Sequence, residues 1–294
     1  MSASSVARAD HANADADALL APWRTRWRLE PDGAAFSTAS SVLQPVRLNG
    51  AAAYLKRAIE PEEAAGGHVL RWWAGRGAAA VLAADDDALV LERASGDREL
   101  VALAASGARG DDAATRILCR AALRLHAVDD LPRPEGLVDL RRWFRELFEH
   151  AAEHPEAHDG LFARAAEEAE ALLEAPVGDV VLHGDLHHGN VLDFGDTRSG
   201  GRGWLAIDPK HIHGDPAFDF ANILCNPSRE VALAPGRFER SVRVIADETG
   251  IAEQRLLRWA IAWAGLSAAW SERSGDDPAI AVGVGRLALR ATAG

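Results

Sequence analysis

The stretch His183-Gly184-Asp185-Leu186-His187-His188-Gly189-Asn190 sets a carboxylate, Asp185, and a primary amide, Asn190, five residues apart in a polar, glycine-broken loop. Apolar runs flank it, Val180-Val181-Leu182 before and Val191-Leu192 after, and each reads as a short strand. A loop pinned between strands carries its side chains in fixed positions. Phosphoryl transfer from a nucleotide asks for this pair: an Asp to take the proton of an acceptor hydroxyl, and an Asn to hold a divalent cation.

The spacing, including the leucine after the Asp, matches the protein-kinase catalytic loop, with Gly184 where arginine is usual. A second metal ligand should follow. A literal Asp193-Phe194-Gly195 looks like the kinase metal motif. Three strand residues, however, carry the chain ~10 Å away from Asn190, with no room for a hairpin to bring a carboxylate back. The segment Gly195 to Gly203, rich in Gly, Asp, Ser and Arg, reads instead as the hairpin turn. The returning strand Trp204-Leu205-Ala206-Ile207 then delivers Asp208 beside Asn190. Asp208 is therefore the expected metal ligand, and Asp193 a solvated hairpin residue.

Working outward, residues 1–20 are small, polar and without period, and are expected to form a flexible arm. Residues 21–96 are strand-rich. Trp23, Thr25, Trp27 and Leu29 alternate as in a half-buried strand. Two extended segments flank Asn49-Gly50, a strong hairpin signal. Pro61 opens a helix to Trp73 with Glu62 and Glu63 in its first turn, and apolar runs at 78–84 and 88–92 complete a small α+β unit. Residues 97–294 carry apolar positions mainly at helical spacing. Lys56 lies in the third strand, where a kinase keeps its phosphate-pairing lysine. Glu62 and Glu63 are its available partners, with Glu63 preferred. Of 32 basic residues only Lys56 and Lys210 are lysines, and a compact ammonium does what arginine's planar fork cannot.

The 294 residues carry 44 acids against those 32 bases, a net charge of −12. Such a chain is a poor partner for nucleic acid or anionic membrane. No apolar run approaches the ~18 residues of a spanning helix, and no secretory pattern opens the sequence. Cys119 and Cys225 read as core thiols of a cytoplasmic protein.

Taken together, His183 to Leu192, Trp204 to Pro209 and Gly214-Asp215-Pro216-Ala217-Phe218-Asp219 resemble the aminoglycoside phosphotransferase superfamily. The nearest branch is that of the streptomycin 6-phosphotransferases and hydroxyurea phosphotransferases. Leu70 to Ala78, Ala88 to Ala94 and Leu266 to Trp270 are further echoes, so the resemblance spans roughly residues 34–290. It implies an α+β protein-kinase-like bilobal fold, with a small β-rich N-lobe, a larger mainly helical C-lobe, and ATP in the cleft. Asp185 would be the base, Asn190 and Asp208 the Mg²⁺ ligands, and Lys56 with Glu63 the nucleotide pair. Glu92-Arg93-Ala94 would be the hinge and Phe36 to Ser41, including Ser40, a phosphate loop that lacks glycine. His183 and Asp219 would support the catalytic loop, Asp219 through backbone hydrogen bonds.

The histidines at 183, 187, 188, 211 and 213 could suggest zinc, but the adjacent Asp and Asn form a hard-cation set. Asp215 before Pro216 is a helix start. Lys210 could touch phosphate or pair with a local acid. Trp259, Trp263 and Trp270 recur at helical spacing as core, with Trp270 and Glu272 at the rim of an acceptor pocket. The Asp-rich surround of the loop favours a cationic small-molecule acceptor such as streptomycin. The alternatives are a metabolite kinase for an amino sugar and a non-catalytic nucleotide-binding regulator. The second would not need Lys56, Asp185, Asn190 and Asp208 together.

Overall fold

The computed structural model describes residues 3–292, with side chains from Asp15 onward. The chain opens with α1 (Ala3–Trp27), followed by β1 (Glu30–Pro31), β2 (Phe36–Ser37), β3 (Ser41–Leu48) and β4 (Ala51–Ala58). Then come α2 (Pro61–Trp73), β5 (Val81–Ala84) and β6 (Ala88–Glu92). The strands form one antiparallel sheet in the order β1-β3-β4-β6-β5, with β2 on β3. Asn49-Gly50 is the β3–β4 turn, with both residues at positive φ. Lys56 lies in the central strand β4, opposite Leu43 and Leu89. The helix expected at Pro61–Trp73 forms over those residues, with the proline in its first turn.

Two expectations for the N-terminus fail together. Over residues 3–27, α1 replaces the flexible arm expected at 1–20, whose first two residues lie outside the described ones, and most of the strand expected at Trp23–Leu29. Within the described side chains Ala16 and Leu20 are buried, and Trp23 and Trp27 pack beside them against Val42, Val46 and Val90. Positions 16, 20, 23 and 27 make an i, i+4, i+7, i+11 stripe, the period of a helix face. The local alternation of Trp23, Thr25 and Trp27 hides that longer period. Burying Leu20 alone is worth roughly 2 kcal/mol.

The extended connection after β6 leads into the helical C-lobe. Its elements are α3 (Leu100–Ala105), α4 (Ala108–His126), β7 (Val138–Asp139), α5 (Leu140–Trp143), α6 (Arg145–Glu153) and α7 (Ala157–Glu174). They continue with β8 (Val180–Val181), β9 (Val191–Asp193), β10 (Trp204–Ala206), β11 (Ile212–Gly214) and α8 (Phe218–Leu224). Last are α9 (Arg229–Ala232), α10 (Arg237–Thr249), α11 (Glu253–Ser274) and α12 (Ala279–Thr292). The main core gathers around the buried α11, whose Trp259 and Trp263 pack on Phe218. The lobes are joined by main-chain bonds: Ala79 N–H donates to Ala206 O at 2.9 Å and Ala206 N–H to Gly77 O at 3.0 Å. Among the described residues no helix is long and apolar enough to cross a membrane.

Candidate active site

The loop between β8 and β9 is fixed from beneath. Asp219, at the start of α8 and fully buried, accepts hydrogen bonds from the N–H groups of His183 (2.9 Å) and Gly184 (2.8 Å) and from His126 Nε2 (2.7 Å). Burial pushes its pKa up, but His126 and the loop amides outweigh that and hold the carboxyl below its ordinary range. His183 bonds Ile207 O through Nε2 at 2.9 Å, and its Nδ1 accepts from Asp185 N–H at 3.2 Å. Burial depresses its pKa and keeps the ring neutral, as that bonding pattern needs. Gly184 has φ +81°, and a Cβ there would meet Lys210 Cβ at 2.7 Å and Ile212 Cδ1 at 2.8 Å. Arginine cannot occupy this position, because the loop turns left-handed against the neighbouring chain.

The β9–β10 hairpin forms as the spacing predicts, pairing Asp193 with Trp204 and Val191 with Ala206. Ile207 N–H donates to Asn190 O at 2.9 Å, which seats Asp208 next to Asn190. The Asn190 amide donates Nδ2 to Asp185 O at 2.9 Å, so its oxygen end is turned away from that contact. Asp208, at φ +54°, reaches across to the N-lobe. There Lys56 Nζ lies 2.6 Å from Asp208 Oδ1 and is also ion-paired with Glu63 on α2. Burial works against this ammonium, yet the Asp208 and Glu63 carboxylates prevail and raise its pKa above the ordinary lysine range. Lys56, Glu63, Asp208, Asn190 and Asp185 thus form one continuous line across the cleft.

A cavity of about 860 Å³ opens beside Asp185. Trp143, Trp263 and Trp270 wall it in edge-to-face contact, with ring centroids 5.6 and 5.8 Å apart. Glu62, Glu146, Arg142, Arg145 and Lys210 supply its charge.

A half-buried base candidate, an oxygen-rich cation corner, a carboxylate-held lysine and an adjoining cavity are the parts of a kinase cleft. Residues 26–275 match the family described as aminoglycoside/hydroxyurea antibiotic resistance kinase. The chain belongs to this family.

Among its relatives, a streptomycin 3''-kinase of Klebsiella pneumoniae is 50% identical over 83% of this chain and 89% of its own length. A hydroxyurea phosphotransferase of Kitasatospora aureofaciens is 33% identical, over 87% of this chain and 73% of its own. A streptomycin 6-kinase of Streptomyces griseus is 35% identical, over 69% and 64% respectively. In fold, the chain is similar to aminoglycoside phosphotransferase APH(4)-Ia in a complex with ADP and hygromycin B. That likeness has a TM-score of 0.64 at 17% identity and covers 92% of this chain and 98% of the other. A choline/ethanolamine kinase family protein from Mesorhizobium loti gives 0.62, also at 17% identity, covering 96% and 93%. The chain is a small-molecule kinase with the protein-kinase-like fold.

Within this resistance-kinase cleft some expected residues sit elsewhere than the sequence suggests. Glu272 does not line the cavity; it is held by His150 Nε2 at 2.8 Å and His158 Nε2 at 2.6 Å. Trp270, one helical half-turn earlier, does line it. Asp193 is buried, not solvated, and takes two 2.7 Å bonds from Arg98, tying the interlobe connection to β9. The Glu92 side chain is engaged by Arg202 and by Ala80 N–H. Ala94 packs on an apolar patch of Ala79, Phe194 and Leu205. Ser40 sits in a tight turn between β2 and β3 that closes through Thr38 N–H to Ser41 O at 2.8 Å. Thr38 Oγ1 accepts from Ser41 N–H at 3.1 Å, which explains a loop without glycine. Lys210 pairs with Glu62 at 3.2 Å, across the lobes. The helix expected to start at Asp215-Pro216 begins instead at Phe218, with Ala217 at its N-cap; the Asp215 carboxylate accepts from Ala217 N–H at 2.9 Å and Val177 N–H at 3.0 Å and pairs with Arg255.

The Asp-rich surround expected to draw a cation is largely consumed inside the protein. Asp193 is neutralised by Arg98, Asp215 by Arg255, and Asp219 is buried under His126. At the cavity itself the carboxylates Glu62, Glu146 and Asp185 face Arg142, Arg145 and Lys210. Asn222 also reaches this cavity from α8, and the sequence reading does not single it out. The one signal for it is an asparagine one turn after Asp219 on a helix whose other residues are apolar.

Proposed function

We propose that this kinase transfers the γ-phosphate of ATP to a hydroxyl of streptomycin, and that the 3''-hydroxyl is its target. The observation that carries this reading is the half-identity with a streptomycin 3''-kinase over nearly the whole of both chains. It is supported by a cavity whose Trp143, Trp263 and Trp270 walls suit the flat guanidinium groups of such an acceptor through cation–π contact. Local contact, not a long-range acidic field, would then recognise the cation.

In this mechanism Asp185 accepts the acceptor hydroxyl proton as its oxygen attacks phosphorus, and the P–O bond to ADP breaks. Lys56, steered by Glu63, pairs with the nucleotide phosphates. Asn190 and Asp208 would hold Mg²⁺; the fit rests on their all-oxygen donor set, with the Asn190 amide already turned so that its oxygen is free of Asp185. When bound, the cation neutralises charge on the phosphates. Asp219 and His183 hold the loop amides while this happens.

The test is ADP release by the purified enzyme with ATP, Mg²⁺ and streptomycin, with hydroxyurea and hygromycin B in parallel, followed by NMR of the product. Turnover with streptomycin and a phosphorus–carbon coupling at the 3'' position is the expected result. A 6-phosphate product would move the hydroxyl assignment, and turnover with hydroxyurea alone would overturn the acceptor.

A further inference from the structure

Asp185 is gripped on one side by a residue the reaction scheme above does not use. Asn222 Nδ2 donates to Asp185 Oδ1 at 3.0 Å, and Asn222 is itself buried, 7% exposed. The direction of that amide follows from its other neighbour. Asn226, just beyond the end of α8, sends its Nδ2 to the Asn222 main-chain oxygen at 3.0 Å and to Asn222 Oδ1 at 2.9 Å. A main-chain oxygen can only accept, so the NH₂ end of Asn226 must face Asn222. The Asn222 atom it meets must then be the oxygen, which leaves Asn222's NH₂ end for Asp185. The orientation is set by the network, not by choice of amide flip.

The two oxygens of Asp185 are consequently unlike. Oδ1 is occupied by Asn222. Oδ2 accepts only a longer bond, 3.3 Å, from Asn190 Nδ2, the nitrogen that also donates to Asp185 O at 2.9 Å, and lies 3.8 Å from His187 Nε2. His187 Nδ1 accepts from Gly189 N–H at 3.0 Å, so the ring's Nε2 carries the proton that faces Oδ2 when the imidazole is neutral. We propose that Asn222, aligned by Asn226, is a positioning residue that fixes the Asp185 carboxylate and reserves Oδ2 for the acceptor hydroxyl. This rests on the reading of Asp185 as the base. The physical basis is that a carboxylate free to rotate about its last bond presents a lone pair to the hydroxyl only part of the time. Small misplacements of this kind cost rate and not affinity.

The experiment is steady-state kinetics with ATP and streptomycin on Asn222→Leu, Asn226→Ala and Asn226→Asp, with thermal melting of each variant and Asp185→Asn alongside. Asn222→Leu should lower kcat by about tenfold or more, with both KM values within about threefold of wild type. The Asn226 pair carries the sharper contrast. Alanine leaves the Asn222 amide free to keep its bond to Asp185, so its loss should be small. Aspartate offers only acceptors, draws the Asn222 NH₂ away from Asp185, and should cost more kcat than alanine although it is nearly isosteric. A merely structural role predicts the opposite order, because alanine leaves the larger void. Wild-type kcat in Asn222→Leu, equal losses in the two Asn226 variants, or a raised streptomycin KM at unchanged kcat would each overturn the proposal. If Asn222→Leu does not fold, the Asn226 comparison still decides. Full turnover in Asp185→Asn would remove the base reading and this inference with it; an inactive Asp185→Asn beside unaffected Asn222 and Asn226 variants removes this inference alone.

Discussion

The ammonium of Lys56, in the middle strand of the N-lobe, lies 2.6 Å from Asp208 Oδ1 in the C-lobe, 152 residues away in sequence. With Glu63 on its other side, this one buried nitrogen ties β4, α2 and the segment after β10 together. The slot is compact and carboxylate-walled. Lys56→Arg keeps the charge but cannot place a planar fork between two carboxylates already in contact with a point charge. We expect Lys56→Arg and Lys56→Ala to lose similar amounts, at least ~10-fold in kcat/KM for ATP, or ~1.4 kcal/mol. Near-normal kinetics for the arginine variant alone would show that charge suffices.

Asp208 and Asp193 both end up anchored, but to different ends. Asp208→Ala removes a carboxylate from the cation corner and from Lys56, and should abolish Mg²⁺-dependent turnover. Asp193→Ala leaves the corner intact. It deprives the exposed Arg98 of its partner and Gly195 N–H of its acceptor. A stability loss of about 1–2 kcal/mol with kcat changed only by a small factor is expected, the value being modest because Arg98 can solvate. Activity assays and urea melts on both variants distinguish the two aspartates; a dead Asp193→Ala enzyme with normal stability would reverse the assignment.

Why the sequence shows one aspartate's place and not the other's is a matter of range. Asp208 can be located because a hairpin has fixed rise and register, so counting residues brings it back to Asn190. The partner of Asp193 is Arg98, 95 residues away, and nothing local signals it. The same limit explains Glu272, whose histidine partners lie on α6 and at the start of α7. It also explains Asn222, whose meaning depends on α8 lying under the catalytic loop. α1 escapes for a different reason: the alternation of Trp23, Thr25, Trp27 and Leu29 outweighs a stripe that needs a dozen residues to become visible.

The interlobe geometry also depends on a missing side chain. Gly66, one turn after Glu63 on α2, leaves no room for a Cβ, which would collide with the carbonyl oxygen of Pro209. Gly66→Ala must therefore push α2 from the Asp208 segment and pull Glu63 from Lys56. Overpacking of this kind costs about 1–3 kcal/mol. It should appear as a raised KM for ATP and a lower melting temperature. Unchanged ATP kinetics in the Gly66→Ala enzyme would mean that α2 carries no positional information for the nucleotide site.

Acid should weaken the fold through His188. His188, between Asp185 and Asn190 in sequence, is buried, and neither ring nitrogen finds a hydrogen-bond partner among the described residues. Burial, reinforced by the nearby charge of Arg237 and opposed by Asp111, lowers its pKa from 6.5 to about 3. The folded protein therefore keeps His188 neutral across a range in which the unfolded chain protonates it. The sign follows: the unfolded state binds the extra proton, so stability is complete above pH 6.5 and falls as the pH drops toward about 3. From pH 6.5 to about pH 5 this one ring should cost about 2 kcal/mol. His188→Leu removes the titrating group without leaving a lost partner, because the ring has none among the described residues. Urea unfolding of both proteins at closely spaced pH values between about 5 and 7 measures the difference. The wild-type midpoint should decline more steeply than that of His188→Leu, and parallel slopes would show that the acid sensitivity of the loop arises elsewhere.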